Sequence, residues 1–282
     1  MRVNDGDVAA GAASAGAMQA LTRRVIAQRA ERYPDAGPDL RRAATARFRR
    51  EPQRLLVAYA HVLPGRASEA ISAVQSFARP RGMQVLWNVL PQLEGETELP
   101  GALAATGFTR TEHLLLMGHM GEVKGPRNPA VSVERITSWD EMLAYERGSR
   151  IAFFNDSFPA AEVVRMRATD RWHAQQVRWC DYYSARVNGE IVGGCYFTCY
   201  EDVPTIMGVY TLPALRGRGV ATTMLATVLS GLHAQRHTAT CLFVRHDNPA
   251  QSVYRTLGFV PLCDEDTWLW DPWESGDVTL TW

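Results

Sequence analysis

The chain has 282 residues, 46% hydrophobic and 21% charged, which is long enough for two domains with a core each. Thirty basic and thirty acidic residues cancel, so no global field points to nucleic acid or a membrane surface. No apolar run reaches membrane-spanning length, and five cysteines without a CxxC pair fit a reduced, cytoplasmic chain rather than a disulfide framework.

The Gly/Ala/Ser-rich start carries Asp5 and Asp7 and makes a poor signal peptide; residues 1–14 are expected to be disordered. Residues 16–32 and 39–50 read as helices crowded with arginines, among them Arg23, Arg24, Arg41, Arg42, Arg49 and Arg50. A strand over 55–62, a helix over 67–78 and a strand over 85–90 follow, then an apolar strand over 113–120. Turn formers from Gly121 to Pro129 read as a linker, dividing a domain at 15–122 from one at 131–282.

The second half opens with a strand over 131–136. Ser138 and Glu141 then form a capping box that starts a helix running toward Arg150. Strands over 178–187 and 190–200 flank Asn188-Gly189, a type I′ hairpin signal. A turn at Glu201–Pro204 leads into a strand over 205–212. Next come Arg216-Gly217-Arg218-Gly219-Val220-Ala221, a helix to Gln235 and a strand over 239–244. Asn248 reads as an N-cap and Gly258 as the stop of a short helix, followed by strands around 260–262 and 267–270.

A glycine-rich turn at a helix N-terminus exposes backbone N–H groups to which the helix dipole draws anions. Glycine lets the main chain approach closely, and arginine adds a planar fork suited to phosphate. Arg216 to Ala221 therefore has the chemistry of a diphosphate cradle.

The order of strand, Arg-Gly-x-Gly-x-Ala turn, helix, strand and Asn-x-x-Ala-x-x-Val-Tyr-x-x-x-Gly-Phe (residues 248–259) resembles the GNAT superfamily of coenzyme-A-dependent N-acyltransferases. The resemblance covers residues 131–272. It implies an α/β (α+β) GNAT fold, a mixed, mostly antiparallel twisted sheet flanked by helices and preceded by a smaller helical or GNAT-like domain. It also implies transfer of an acyl group, acetyl above all, from acetyl-CoA to an amine of a small molecule or a peptide N-terminus, with no metal. Residues 103–108 echo 254–259, with Leu103 where Tyr254 stands, so the first half is expected to carry no acyl transfer. Family members often dimerise, but no interface is marked in this sequence.

Carried onto this chain, the backbone of Gly217, Arg218, Gly219, Val220 and Ala221 would hold the diphosphate, with Arg216 and Arg218 in support and Asn248 and Tyr254 completing the site. Val209, Tyr210 and Thr211 would pair with the pantetheine arm beside a β-bulge, for which Gly208 is suited. A bulge N–H would polarise the thioester carbonyl. Tyr254 would protonate the departing thiolate; its bland reading is a helix residue packed on the sheet. For the base, Glu201 or Asp202 and, apart from them, Asp156 stand open, the first two also readable as a solvated turn and Asp156 as a helix cap among core aromatics. His233 and His237, four apart on a helix, suit a helix C-terminus better than a metal.

Two other functions compete. Arginine crowding at 21–54 fits an aminoacyl-tRNA-dependent transferase, although an intact diphosphate cradle and interspersed Glu31, Asp35, Asp39 and Glu51 oppose it. A coenzyme-A-sensing or partner-binding module without catalysis is the other; Asn248 and Tyr254 oppose that.

Overall fold

The computed structural model describes residues 16–25, 45–51, 54–62, 65–90, 97–156, 159–199 and 202–272. Contacts divide the chain into two units, one holding residues to Leu116 together with Leu262 onward, the other Met117–Pro261. Residues from 262 on, which the turn-based division gives to the second half, are thus part of the first unit.

In the first unit, helix α1 (16–25) precedes β1 (Thr45–Glu51), β2 (Arg54–His61), α2 (Ala67–Ala78), β3 (Gln84–Val89), α3 (Leu99–Ala105) and most of β4 (Thr109–Met120). The last strand of the chain, β10 (Val260–Trp270), lies between β3 and β4, giving the order β1-β2-β3-β10-β4. The two strands expected at 260–262 and 267–270 are one continuous strand. Residues 45–50, expected to be helical, form edge strand β1, antiparallel to β2. Of the predicted helices over 16–32 and 39–50, residues 26–44 lie outside the described residues.

β2 and β3 run parallel, joined through α2, whose buried face is Ala67, Ala70, Ile71, Val74 and Ala78. That face closes a core holding Trp87, Leu103, Phe108, Trp268 and Trp270. Trp270 stacks on Phe108 at 6.2 Å, and the Arg79 guanidinium sits 5.4 Å over its ring. Replacing Trp270 by Ala is expected to destabilise this unit by about 3–5 kcal/mol, read by chemical denaturation.

The second unit holds the end of β4, β5 (Ser132–Arg135), α4 (Trp139–Phe154), α5 (Ala161–Gln176), β6 (Cys180–Val187), β7 (Glu190–Thr198), β8 (Thr205–Thr211), α6 (Val220–Ala234), β9 (Ala239–Arg245) and α7 (Gln251–Leu257). Its strand order is β4-β9-β8-β7-β6-β5. The capping box is present at α4, with Glu141 N–H donating to Ser138 Oγ and Ser138 N–H to Glu141 Oε2. Asn188 and Gly189 take φ of 52° and 85° at the β6–β7 turn, as a type I′ hairpin requires. All five cysteines are free thiols. Among the described residues no helix is long and apolar enough to cross a membrane.

His233, read from sequence beside His237, instead stacks on His119 of β4 at 5.5 Å. His119 is fully buried, and neither ring nitrogen reaches a hydrogen-bond partner. Burial first, and His233 second, hold its pKa below 6.5; the Leu257 and Glu122 carbonyls face the ring and oppose this only weakly. Below pH 6.5 the unfolded chain takes up a proton that the folded one refuses, so stability falls with pH from there until the depressed folded pKa is passed. Urea unfolding between pH 5 and pH 8 is expected to show this slope, and His119→Leu to flatten it.

Candidate active site

Strand β8 changes its pairing halfway along. Phe197 faces Ile206 and Tyr196 faces Met207, but the next pair is Gly194 with Tyr210. Gly208 and Val209 thus stand opposite the single residue Cys195. This is the bulge expected at Gly208, whose φ of +60° is a left-handed conformation that glycine adopts without strain. On its other side β8 pairs in parallel with β9 only at Thr205–Cys241 and Ile206–Leu242. From Met207 onward that edge has no strand partner among the described residues, and Thr211 Oγ1 is a buried hydroxyl without a hydrogen bond. Tyr210 turns its ring away, donating its hydroxyl to the Tyr145 carbonyl at 3.0 Å.

Helix α6 begins just beyond. Gly219 is its N-cap with φ of +74°, Gly217 has φ of +75°, and no side chain caps the first turn. The N–H groups of residues 217–222 therefore make no hydrogen bond to described residues. Val220 is buried and anchors the helix, and Ala221 is half-buried. Arg218 is exposed without a side-chain partner among the described residues. Arg216 folds back onto neighbouring main chain. Its Nε donates to the Thr211 carbonyl at 3.3 Å and an Nη to the Ala152 carbonyl at 3.1 Å, so its guanidinium braces the loop.

Asn128 was passed over as part of a linker. Its Nδ2 donates to the Arg218 carbonyl at 2.9 Å and its N–H to Thr223 Oγ1 at 2.8 Å, stapling the glycine turn. The turn-former composition of 121–129 gave no sign of that bond.

Tyr254 lies on α7, 6% exposed, edge-on to Phe259 at 6.1 Å. Its hydroxyl has no hydrogen-bond partner among the described residues. Burial, and then the Cys195 thiol, push its pKa up to about 12. Since Cys195 is the residue facing the bulge, Tyr254 is near the bulge. Asn248 does not cap α7 directly: the helix starts at Gln251, and Asn248 Oδ1 accepts from the Ala250 N–H at 2.9 Å, fixing the preceding turn.

Of the carboxylates offered as bases, Glu201 lies outside the described residues. Asp156 follows the left-handed end of α4 at Asn155 and faces Arg150 Nη2 at 3.4 Å. The sequence reading also missed a cluster behind the bulge formed by Tyr145, Glu146, Arg171, Tyr182 and Tyr196.

These parts fit coenzyme A. Unpaired N–H groups at a helix start suit a diphosphate, and an unpaired strand edge with an orphaned hydroxyl suits an amide-bearing arm. The model of the acetyltransferase (GNAT) domain matches residues 178–261. This stretch is a GNAT domain.

Solved GNAT proteins share the fold. A GCN5-related N-acetyltransferase from Kribbella flavida aligns with a TM-score of 0.62 at 17% identity, over 88% of this chain and 95% of that one. One from Sphaerobacter thermophilus gives 0.63 at 16%, over 85% and 80%. A tandem GNAT protein from the clavulanic acid biosynthesis pathway gives 0.61 at 16%, over 83% and 80%. No curated protein matches this sequence.

Proposed function

We propose that the chain is an N-acyltransferase that moves an acetyl group from acetyl-CoA to an amine of a small molecule or peptide. The observation that carries this is the opening of β8 from β9 at a glycine bulge, next to the uncapped start of α6 and the buried Tyr254. In this reading the N–H groups of Gly217 to Ala221 hold the diphosphate. Arg218 supports them, Arg216 and Asn128 fix the loop, and residues 209–211 offer main-chain groups to the pantetheine arm. Bound there, acetyl-CoA supplies a thioester whose acyl carbon forms a bond to the amine nitrogen as its bond to sulfur breaks. A bulge N–H faces the oxygen on which charge develops. Tyr254, protonated at neutral pH, gives its proton to the leaving sulfur, and the proton shed by the amine, passed through solvent or a base, restores the phenol.

Calorimetric titration of acetyl-CoA tests the cradle. Micromolar binding is expected, with a loss of at least tenfold for Gly219→Ala, whose added Cβ sits at a left-handed φ beside Asn128. Wild-type protein that binds no acetyl-CoA would sink the proposal.

A degenerate origin for the first unit belongs to the same reading. There a strand, a helix and a parallel strand (β2-α2-β3) precede Gly107-Phe108, as β8-α6-β9 precede Gly258-Phe259. Phe108 N–H donates to the Leu103 carbonyl at 3.0 Å, and Phe259 N–H to the Tyr254 carbonyl at the same distance. With leucine where the acid would stand, the aligned position carries no proton donor.

A further inference from the structure

Behind the bulge, α4 and α5 bury a charge in an aromatic wall. Arg171 Nε donates to Glu146 Oε2 at 2.6 Å, and the Glu146 side chain is 2% exposed. The guanidinium carbon lies 5.6, 5.8 and 5.6 Å from the ring centroids of Tyr145, Tyr182 and Tyr196. These contacts leave donors of the planar fork unspent. The outer edge is not sealed, because 20% of the Arg171 side chain is exposed and none of its nitrogens is a buried atom without a partner.

The same wall borders the reacting end of β8. A Cβ at Gly208 would stand 2.8 Å from Tyr196 Cε1 and 3.5 Å from Tyr145 Oη. One tyrosine ring therefore separates the bulge from the guanidinium. An ion pair kept only for stability would gain little here, since apolar residues of like volume do as well. A fork with open donors, held rigid by a carboxylate and three rings, is instead prepared for a second carboxylate.

We propose that Arg171 sets acceptor specificity by receiving a carboxylate of the acceptor, which is thus a small amine bearing an acid group within a few bonds of its nitrogen. This rests on the acyltransferase reading of the same site and narrows it, from amines in general to amino-acid-like acceptors rather than peptide termini. Glu146 positions the guanidinium.

The test is acetyl transfer to matched sets: an amino acid, its carboxamide and its decarboxylated amine, for several side chains. The acids are expected to be favoured about 10- to 100-fold in kcat/KM, mainly through KM. Glu146→Gln with Arg171→Gln together, which leaves no buried charge unpaired, is expected to erase that preference while acetyl-CoA binding by calorimetry is unchanged. Amides and decarboxylated amines used as well as the acids would overturn the inference. So would a preference that survives the double variant, or acids that neither react nor raise the melting temperature of the coenzyme-A-bound protein. Protein that binds acetyl-CoA yet prefers amines lacking an acid refutes this inference alone, whereas protein that does not bind acetyl-CoA refutes the acyltransferase reading with it.

Discussion

Replacing Tyr254 by Phe is expected to lower kcat for acetyl transfer about a hundredfold while acetyl-CoA binds as before. Only the hydroxyl is lost. The ring stays edge-on to Phe259, and the N–H of Phe259 still bonds the carbonyl of residue 254. A drop in kcat without a change in cosubstrate affinity marks a group used in the transition state alone. The pH dependence is a second check. Burial holds the phenol pKa up at about 12, so the proton remains on oxygen well past pH 10. The wild-type to variant ratio is therefore expected to stay flat from pH 7 to pH 10. A variant with the wild-type rate on every amine tried would remove Tyr254 from the chemistry.

Gly194→Ala is expected to be destabilising by about 2–3 kcal/mol through overpacking, and Gly208→Ala to lose activity as well. A Cβ at Gly194 would lie 2.7 Å from Tyr210 Cε1 and closer still to the Tyr145 ring. Those rings are fixed in turn, Tyr210 by its bond to the Tyr145 carbonyl and Tyr145 by its edge-on contact with Tyr182, so neither can step aside cheaply. At Gly208 the added carbon meets Tyr196 and also forces φ of +60° on an alanine, which costs about 1–2 kcal/mol. Relief comes by closing the bulge, which removes the opening beside β9. Gly231→Ala serves as the control. Its Cβ meets nothing within 4 Å on helix α6, and a gain of about 0.5–1 kcal/mol is expected. Thermal melts of the three variants, with acetyl-transfer rates, separate packing from chemistry.

Several elements were legible because their causes lie within a few residues. Ser138 and Glu141 satisfy each other across one helical turn, and Asn188-Gly189 supplies the two positive φ values its turn demands. Gly208, Gly217 and Gly219 stand where the backbone turns left-handed. The glycine pattern thus named both the bulge and the left-handed turn before α6.

The misreadings share a different cause. Residues 45–50 carry arginines compatible with a helix, but β2 offers a free edge, and pairing with it decides for strand. Nothing local in the sequence shows that Arg216 meets the carbonyls of Thr211 and Ala152. Asn128 looks like turn filler until α6 brings Thr223 to it.

By itself, then, the sequence determined the GNAT order of the second half, the glycine turn at the start of α6 and the tyrosine five residues before Phe259, all set by local backbone chemistry. Tertiary structure decided which core receives β10, which arginine of the turn is left without a side-chain partner among the described residues, and that Glu146, Arg171 and three tyrosines meet behind the bulge. Those outcomes depend on partners brought from distant parts of the chain. Burial and pairing select such partners, and no short stretch of residues records them.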